Sequence, residues 1–227
     1  MSENRQKRAV SDSAKQLRRE AVLQAARDLF VETGFFDVSM SMIAKRAGVA
    51  KGTVYIYFKT KEEIFLALSL VELESWLSQW AAALAIAPGA LSNAQFISVL
   101  RKTFTGRKPM YRLISLMHLV LEKNVAYDEA LSFKRQLSVM TAEVAELIEK
   151  RLPYLGKGQG VMVLFNLHCL VVGWSQMTET SPVLDRVLEN PELAAFRFEF
   201  EDSLFASFSV FLDGLRARGS SKTENRI

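Results

Sequence analysis

With one cysteine and two histidines in 227 residues, the chain has little material for disulfides, metal sites or imidazole and thiol catalysis. A lone Cys169 argues against a disulfide framework and fits a reducing, cytoplasmic setting. His168 and Cys169 are adjacent, so on a helix they point to different sides. No glycine-rich phosphate loop, HExxH or GxSxG occurs. These absences argue against an enzyme, and no metal or cofactor is expected. Long apolar runs are missing too. Residues Met1 to Leu17 are polar and charged, with no signal-like apolar core. The longest run, Val161 to Trp174, contains Asn166 and His168 and is too short for a bilayer, which needs about 20 residues. It reads as a buried helix, and no membrane association is expected. Strand-like alternation, internal repeats and low-complexity linkers are also lacking, so the expected class is all-α.

What the chain has is an uneven charge. Residues 1–61 hold 12 Lys+Arg against 6 Asp+Glu, and the remainder holds 17 against 19; +6 and −2 make up the total of +4. A basic pole of this kind suits phosphate binding. Within it lies Val38 to Lys61, VSMSMIAKRAGVAKGTVYIYFKTK. Ser39 is a good N-cap, with Val38 and Ile43 as a hydrophobic staple. The helix it opens ends at Gly48, which tolerates the left-handed conformation of a helix end. A second helix of about two turns spans Lys51 to Phe58, and Thr60 with Glu63 forms a capping box for a third. Two short helices about a glycine turn are the sequence form of a helix-turn-helix, whose second helix enters the DNA major groove.

Ahead of it, a helix from near Ser13 to Gly34 puts Leu17, Ala21, Val22, Ala25, Leu29 and Phe30 on one face, to pack on Ile43, Ala47, Val54 and Phe58. Val54 and Phe58 point inward, leaving Lys51, Gly52, Thr53, Tyr55 and Tyr57 to face the groove. Gly52 lets the helix start approach base edges, Thr53 offers a methyl or hydroxyl, and the two phenols suit phosphate oxygens. For Tyr55 a packed ring with an outward hydroxyl is expected. Ser39 and Ser41 are candidate phosphate ligands, as is Lys61 at the start of the third helix, where backbone N–H groups and the dipole add to its charge. Lys45 and Arg46 read equally as solvated surface or phosphate contacts, and Ser2 to Asp12 as a DNA-reaching arm or a plain tail.

Ala25 to Phe65 also resembles the DNA-binding domain of the TetR (AcrR-like) repressors. The match runs through Leu29-Phe30, Glu32-x-Gly34-Phe35, Ile43-Ala44, Ala47-Gly48-Val49, Gly52-Thr53-Val54-Tyr55, Tyr57-Phe58 and Lys61-Glu62-Glu63. The resemblance implies DNA contacts at Gly52, Thr53, Tyr55, Tyr57 and Lys61, a homodimer through the last two helices, a palindromic operator, and a small molecule among the middle helices that releases DNA. One departure is Ala50, where the family often has a capping serine; its loss costs about 1 kcal/mol of cap and one possible DNA hydrogen bond.

The remainder reads as helix throughout, about nine in all, with a DNA-binding domain at 13–61, a regulatory and dimerisation domain at 62–218, and flexible tails at 1–12 and 219–227. A long helix from Lys61 to Ala87 carries Ile64, Leu68 and Val71, then Trp76, Trp80 and Leu84, and so serves two cores and links them. Further helices are expected over Leu91–Thr105, Pro109–Lys123, Asp128–Leu152, Gly158–Thr178 and Glu192–Arg218, with Ser181–Pro191 as a loop. The last two helices are the most apolar and aromatic, as a four-helix dimer interface requires. A ligand pocket could draw on Trp76, Trp80, Phe96, Phe104, Met110, Met117, Phe165 and Trp174, although each is more readily core. His118, Glu122, Asn166, His168 and Gln176 are polar groups within apolar stretches and need partners, which a ligand, a neighbour or the dimer mate would supply. The pocket is expected to be mainly apolar. The alternative is a regulator of the same fold whose C-terminal domain serves only dimerisation or protein contact.

Overall fold

A computed structural model of the chain describes the backbone of residues 2–224 and the side chains of residues 13–219. The expected arm at Ser2 to Asp12 and most of the C-terminal tail therefore lie outside the described side chains. Among the described residues there are ten α-helices and no strand, in keeping with apolar positions spaced three and four apart. They are α1 (Ser2–Thr33), α2 (Met40–Arg46), α3 (Lys51–Tyr57), α4 (Lys61–Ile86), α5 (Asn93–Phe104), α6 (Lys108–Leu116), α7 (Tyr127–Arg151), α8 (Gln159–Thr178), α9 (Pro182–Leu188) and α10 (Phe200–Glu224). A π-helical turn at Met117–Leu121 and 3₁₀ turns at Glu122–Asn124 and Pro191–Phe196 complete the order.

Several boundaries differ from the expected ones, and two helices run into the expected tails: α1 starts at Ser2 instead of near Ser13, and α10 ends at Glu224 instead of Arg218. The helix expected over Pro109–Lys123 ends at Leu116 and continues as the π turn. The segment expected as a loop holds α9, capped by Ser181, whose side chain accepts from Leu184 N, with Pro182 in the first turn. The last helix starts at Phe200, eight residues later than Glu192, because Pro191–Phe196 forms only a 3₁₀ turn.

The chain divides into two compact units. The first comprises Met1–Val71 and Leu116–Phe133. In it α1 packs on α2 and α3 through Val22, Ala26, Leu29 and Phe30, which meet Ile43, Val54 and Phe58 in the buried core. Leu17 does not belong to that face: it is 63% exposed, and the buried stripe begins at Val22. Phe65 closes the core, its ring 5.6 Å from Phe30 and 5.1 Å from Phe35. Val71, expected to continue the Ile64–Leu68 stripe, is exposed.

The second unit comprises Glu72–Ser115 and Lys134–Ile227. Its core gathers Trp76, Trp80, Leu84, Phe96, Leu100 and Phe104, all buried. The C-terminus of α4 is capped from α7. Buried Arg151 donates from Nε to Leu84 O (2.7 Å), from Nη2 to Ala85 O (2.8 Å) and from Nη1 to Gly89 O (2.9 Å). α8 crosses α7 at Gly160, where an added Cβ would stand 2.1 Å from Ala145 O. Its Val163, Leu167 and Val171 are buried, and Trp174 Nε1 donates to Ser207 Oγ of α10 at 3.1 Å. At 20 residues, α8 is long and apolar enough to cross a bilayer by length and composition, which the count of uninterrupted apolar residues did not anticipate. One face of it packs on α10, but only 33% of that stretch is buried, so it is not the fully buried helix expected.

Candidate nucleic-acid interface

The geometry of Val38 to Lys61 follows from its caps. Ser39 Oγ accepts from Met42 N, and Val38 and Ile43 are buried as a staple. α2 closes with Ala47 N donating to Ile43 O and Val49 N to Ala44 O, the chain reversing at Gly48 with φ +67. α3 then starts at Ala50 without a side-chain cap, the gap expected at that position. Buried Val54 and Phe58 fix its rotation. The outward residues of α3 are Gly52, Tyr55 and Ile56, spaced i, i+3, i+4, together with Lys51, whose ammonium lies 6.0 Å from the centroid of the Tyr55 ring; exposed Lys59 follows the helix end, past Phe58 in extended backbone. Thr53 and Tyr57, expected to face the groove, are half-buried at the flanks of this face. Ile56 (72% exposed) and Lys59 were not singled out from the sequence, although the spacing of Ile56 from Gly52 placed it on the same side. Tyr55 is 40% exposed, a partly packed ring.

Ser39 and Ser41 are both exposed at the start of α2. Arg46, left open as surface or phosphate contact, forms a two-pronged pair with Glu32 of α1 at 2.8 and 2.7 Å. Those hydrogen bonds hold the Glu32 carboxyl below the usual carboxylate range and raise Arg46. Lys45 remains exposed beside it.

Lys61 is the clearest departure from expectation. Its ammonium donates to Phe35 O (3.1 Å), Val38 O (3.1 Å) and Phe36 O (3.4 Å), and sits 4.4 Å from the centroid of the Phe35 ring. An ammonium has three donors, and here all three point at backbone carbonyls instead of at solvent. The N-terminus of α4 is finished by Thr60 Oγ1, which accepts from Glu63 N, while Glu63 Oε2 accepts from Lys59 N at 2.6 Å, one residue before the Thr60 amide that a capping box would use.

The residues proposed for a ligand pocket do not converge. Met117, His118 and Glu122 fall in the first unit and the other ten in the second. His118 Nδ1 lies 3.1 Å from Glu122 Oε2, so these two satisfy each other. Trp76 and Trp80 stack at 5.4 Å with Phe104 edge-on to Trp76, all buried as core; both indole N–H groups lack an acceptor among the described residues. Asn166 Nδ2 donates to Met162 O, and His168 is half-buried. Phe165, at 66% exposed, and Gln176 lie on the outer side of α8.

A cavity of about 480 Å³ does exist in the second unit, and none of those thirteen residues lines it. It lies between α6, the end of α8, α9 and the start of α10. Its walls carry the stacked rings of Tyr111 and Phe200, 4.0 Å apart, and the ion pair Arg112–Glu179 at 2.7 Å. Ser175, 2% exposed, turns a hydroxyl without a partner among the described residues into this lining. Burial, then the charges of Glu201 and Glu179, push the Tyr111 phenol above its ordinary value. The expectation of a mainly apolar pocket is thus corrected: Lys108, Arg112, Glu179, Asp185, Arg197 and Glu199 all border it, because the ends of helices meet there instead of their apolar stripes.

Comparison with known proteins matches two family models. "Bacterial regulatory proteins, tetR family" covers residues 22–68, and "Tetracyclin repressor-like, C-terminal domain" covers residues 70–219. Among curated relatives, the fatty acid metabolism regulator protein of Bacillus subtilis is 47% identical over 47 residues, 21% of this chain and 24% of the relative. The HTH-type transcriptional regulator QacR of Staphylococcus aureus is 34% identical over 62 residues, 27% of this chain and 33% of the relative. The matched stretches therefore span a third or less of those relatives. A solved structure of a possible TetR family transcriptional regulator from Streptomyces coelicolor shares the fold, with a TM-score of 0.57 at 22% identity over 88% of this chain and 98% of that one.

Proposed function

The chain belongs to the tetR family of bacterial regulatory proteins, a DNA-binding transcriptional regulator family, and from that premise we propose that it is a cytoplasmic, dimeric repressor without enzymatic activity. The observation that carries the reading is the exposed face of α3, Gly52, Tyr55 and Ile56 with Lys51 beside them and Lys59 just past the helix end, standing out from a core fixed by Val54 and Phe58. Gly52 lets the backbone approach, Ile56 offers an apolar contact of the kind a thymine methyl takes, and Lys51 and Lys59 meet guanine edges or phosphates. Ser39, Ser41, Thr53 and Tyr57 supply flanking hydroxyls for phosphate oxygens. Residues 13–61 serve as the DNA-binding domain and 62–218 as the regulatory and dimerisation domain.

Dimerisation is read from the outer faces of α8 and α10. Val161, Phe165 and Cys169 are exposed at successive turns of α8, and Ala206, Val210 and Gly214 at successive turns of α10. A second copy covers such a pair of faces as a four-helix interface. Two recognition helices then meet major grooves about 34–36 Å apart, so the operator is a palindrome or near-palindrome. Selection of duplexes from a randomised pool by the purified protein tests this. A palindromic consensus bound by a dimer in light scattering is expected; no enriched sequence, or a monomer on DNA, overturns it.

The cavity at Ser175 is the proposed effector seat. A buried hydroxyl without a partner is costly and is met by a ligand or water, and the Tyr111–Phe200 stack offers a flat apolar wall. The matching ligand is an aromatic compound with polar substituents, and its binding shifts the protein away from the DNA-competent state through α4, whose backbone is continuous from the first unit into the second. A panel of such compounds, read by thermal shift and by release of the selected duplex, decides between this and the second reading, a C-terminal domain that serves only dimerisation or protein contact. Release by none supports the second reading.

A further inference from the structure

Three backbone carbonyls, those of Phe35, Phe36 and Val38, converge on the ammonium of Lys61, and the Phe35 ring face lies 4.4 Å from it. These carbonyls belong to the connection between α1 and α2, where no helix supplies hydrogen bonds. The side chains of Phe35 and Val38 are themselves buried, so the connection cannot shift without disturbing the core. We propose that Lys61 is a positioning residue for DNA reading: it ties the first turn of α4 to the entry of α2 and makes no phosphate contact. This goes beyond the functional reading above and beyond the phosphate role that charge and sequence position indicate.

The placement fits a tie better than an anion site. Lys61 opens α4, and its donors are taken up within the protein. Its side chain swings away from the helix axis to carbonyl oxygens, which carry the opposite partial charge. To meet a phosphate it would have to abandon three acceptors at 3.1, 3.1 and 3.4 Å. The other end of α2 is held independently, by Arg46 on Glu32 of α1. The helix-turn-helix is thereby pinned at both ends of α2, and α3, which follows it across a tight turn, takes its position from that helix. Movement at the start of α4 is thus passed to the α2 entry by this ammonium, beside the packing of Phe65 on Phe35.

The test uses the full-length protein and the duplex that the wild type selects, titrated over a salt series. Lys61→Met should lower affinity about tenfold or more at every salt concentration while leaving the slope of log K against log salt unchanged. Lys61→Arg keeps the charge, but its planar fork cannot aim three donors at one convergent set of carbonyls, so it should lose affinity as well. Amide exchange at Phe36 to Met42 should quicken in both variants. A slope reduced by about one unit in the Met variant marks a phosphate contact and overturns the proposal. Full affinity in the Arg variant overturns it too, since charge alone then suffices. If no duplex is selected at all, the DNA-binding reading has failed, and unchanged exchange at Phe36 to Met42 sinks the tie by itself.

Discussion

In the first unit a lysine holds three backbone carbonyls, and in the second an arginine holds three. Lys61 extends from α4 to a connection elsewhere in the chain. Arg151 extends from α7 to the end of α4 itself, satisfying carbonyls that a helix C-terminus leaves without partners. The chemistry suits each case. A compact ammonium serves oxygens that converge on one point, whereas a guanidinium spreads its donors over Nε, Nη1 and Nη2 and reaches oxygens that lie apart. Both side chains direct their donors at backbone carbonyls. The consequences differ. The first clamp sets the pose of an exposed reading surface, and its loss is felt in DNA affinity. The second completes a buried core, and its loss is felt in stability.

The largest effect should come from Arg151. Arg151→Ala removes three charge-assisted hydrogen bonds and strands buried carbonyls, a loss of about 3–5 kcal/mol. Urea denaturation should show a lower midpoint with an unchanged slope, and Arg151→Lys should recover only a fraction, since one ammonium cannot reach all three oxygens. DNA affinity of the folded variant should stay at the wild-type value. A loss under about 1 kcal/mol would break the contrast between the two clamps and make Arg151 an ornament of an already satisfied helix end.

Gly52→Ala sharpens the other side of the contrast. An added Cβ meets nothing within 4 Å, and the backbone there needs no special conformation. Alanine is the better helix former by up to about 1 kcal/mol, so stability should hold or rise slightly. Affinity for the selected duplex should nevertheless fall by about tenfold, a cost of about 1.4 kcal/mol, because the methyl stands between the start of α3 and the base edges. Unchanged affinity would mean that the first turn of α3 does not approach DNA, and the exposed face would have to be read from Tyr55 onward.

The first unit was readable from sequence because its rules are local. Ser39, Gly48, Val54 and Phe58 fix caps, turn and helix rotation within a few residues of one another, and Ala50 was recognised as uncapped on the same grounds. Lys61 was singled out, but its carbonyl partners were not foreseen, because position in a motif says where a charge starts but not which oxygens, 23 to 26 residues away, it meets. Arg151 gave no signal at all: its acceptors lie 62 to 67 residues away on a helix end. The cavity was equally hidden. It is assembled from Tyr111, Ser175 and Phe200, which share no sequence period, and the apolar side chains that looked like a pocket were the core instead. α9, by contrast, was legible in principle, since Ser181-Pro182 is a helix cap followed by a first-turn proline.

Acid and alkali should separate the two units more gently. In the second unit burial, then the charge of Asp213, pushes Tyr154 up to about 12, and its hydroxyl donates to Asn93 Oδ1 at 2.7 Å. A raised folded value means that its stabilising contribution is complete below the unfolded phenol value near 10 and is lost as pH rises toward 12. Stability of the wild type measured from pH 9 to 11 should therefore fall more steeply than that of Tyr154→Phe. In the first unit the Arg46 hydrogen bonds depress Glu32, so the sign reverses: its contribution is present above the unfolded carboxylate value near 4.5 and fades as pH drops through the lower folded value. Both partners are exposed and open to salt, so this is the smallest effect of all. Glu32→Gln should flatten the acid limb only slightly, and only at low ionic strength. An acid limb equally altered at high salt would show that the pair is shielded from solvent, and that the first unit leans on a buried contact as the second leans on Arg151.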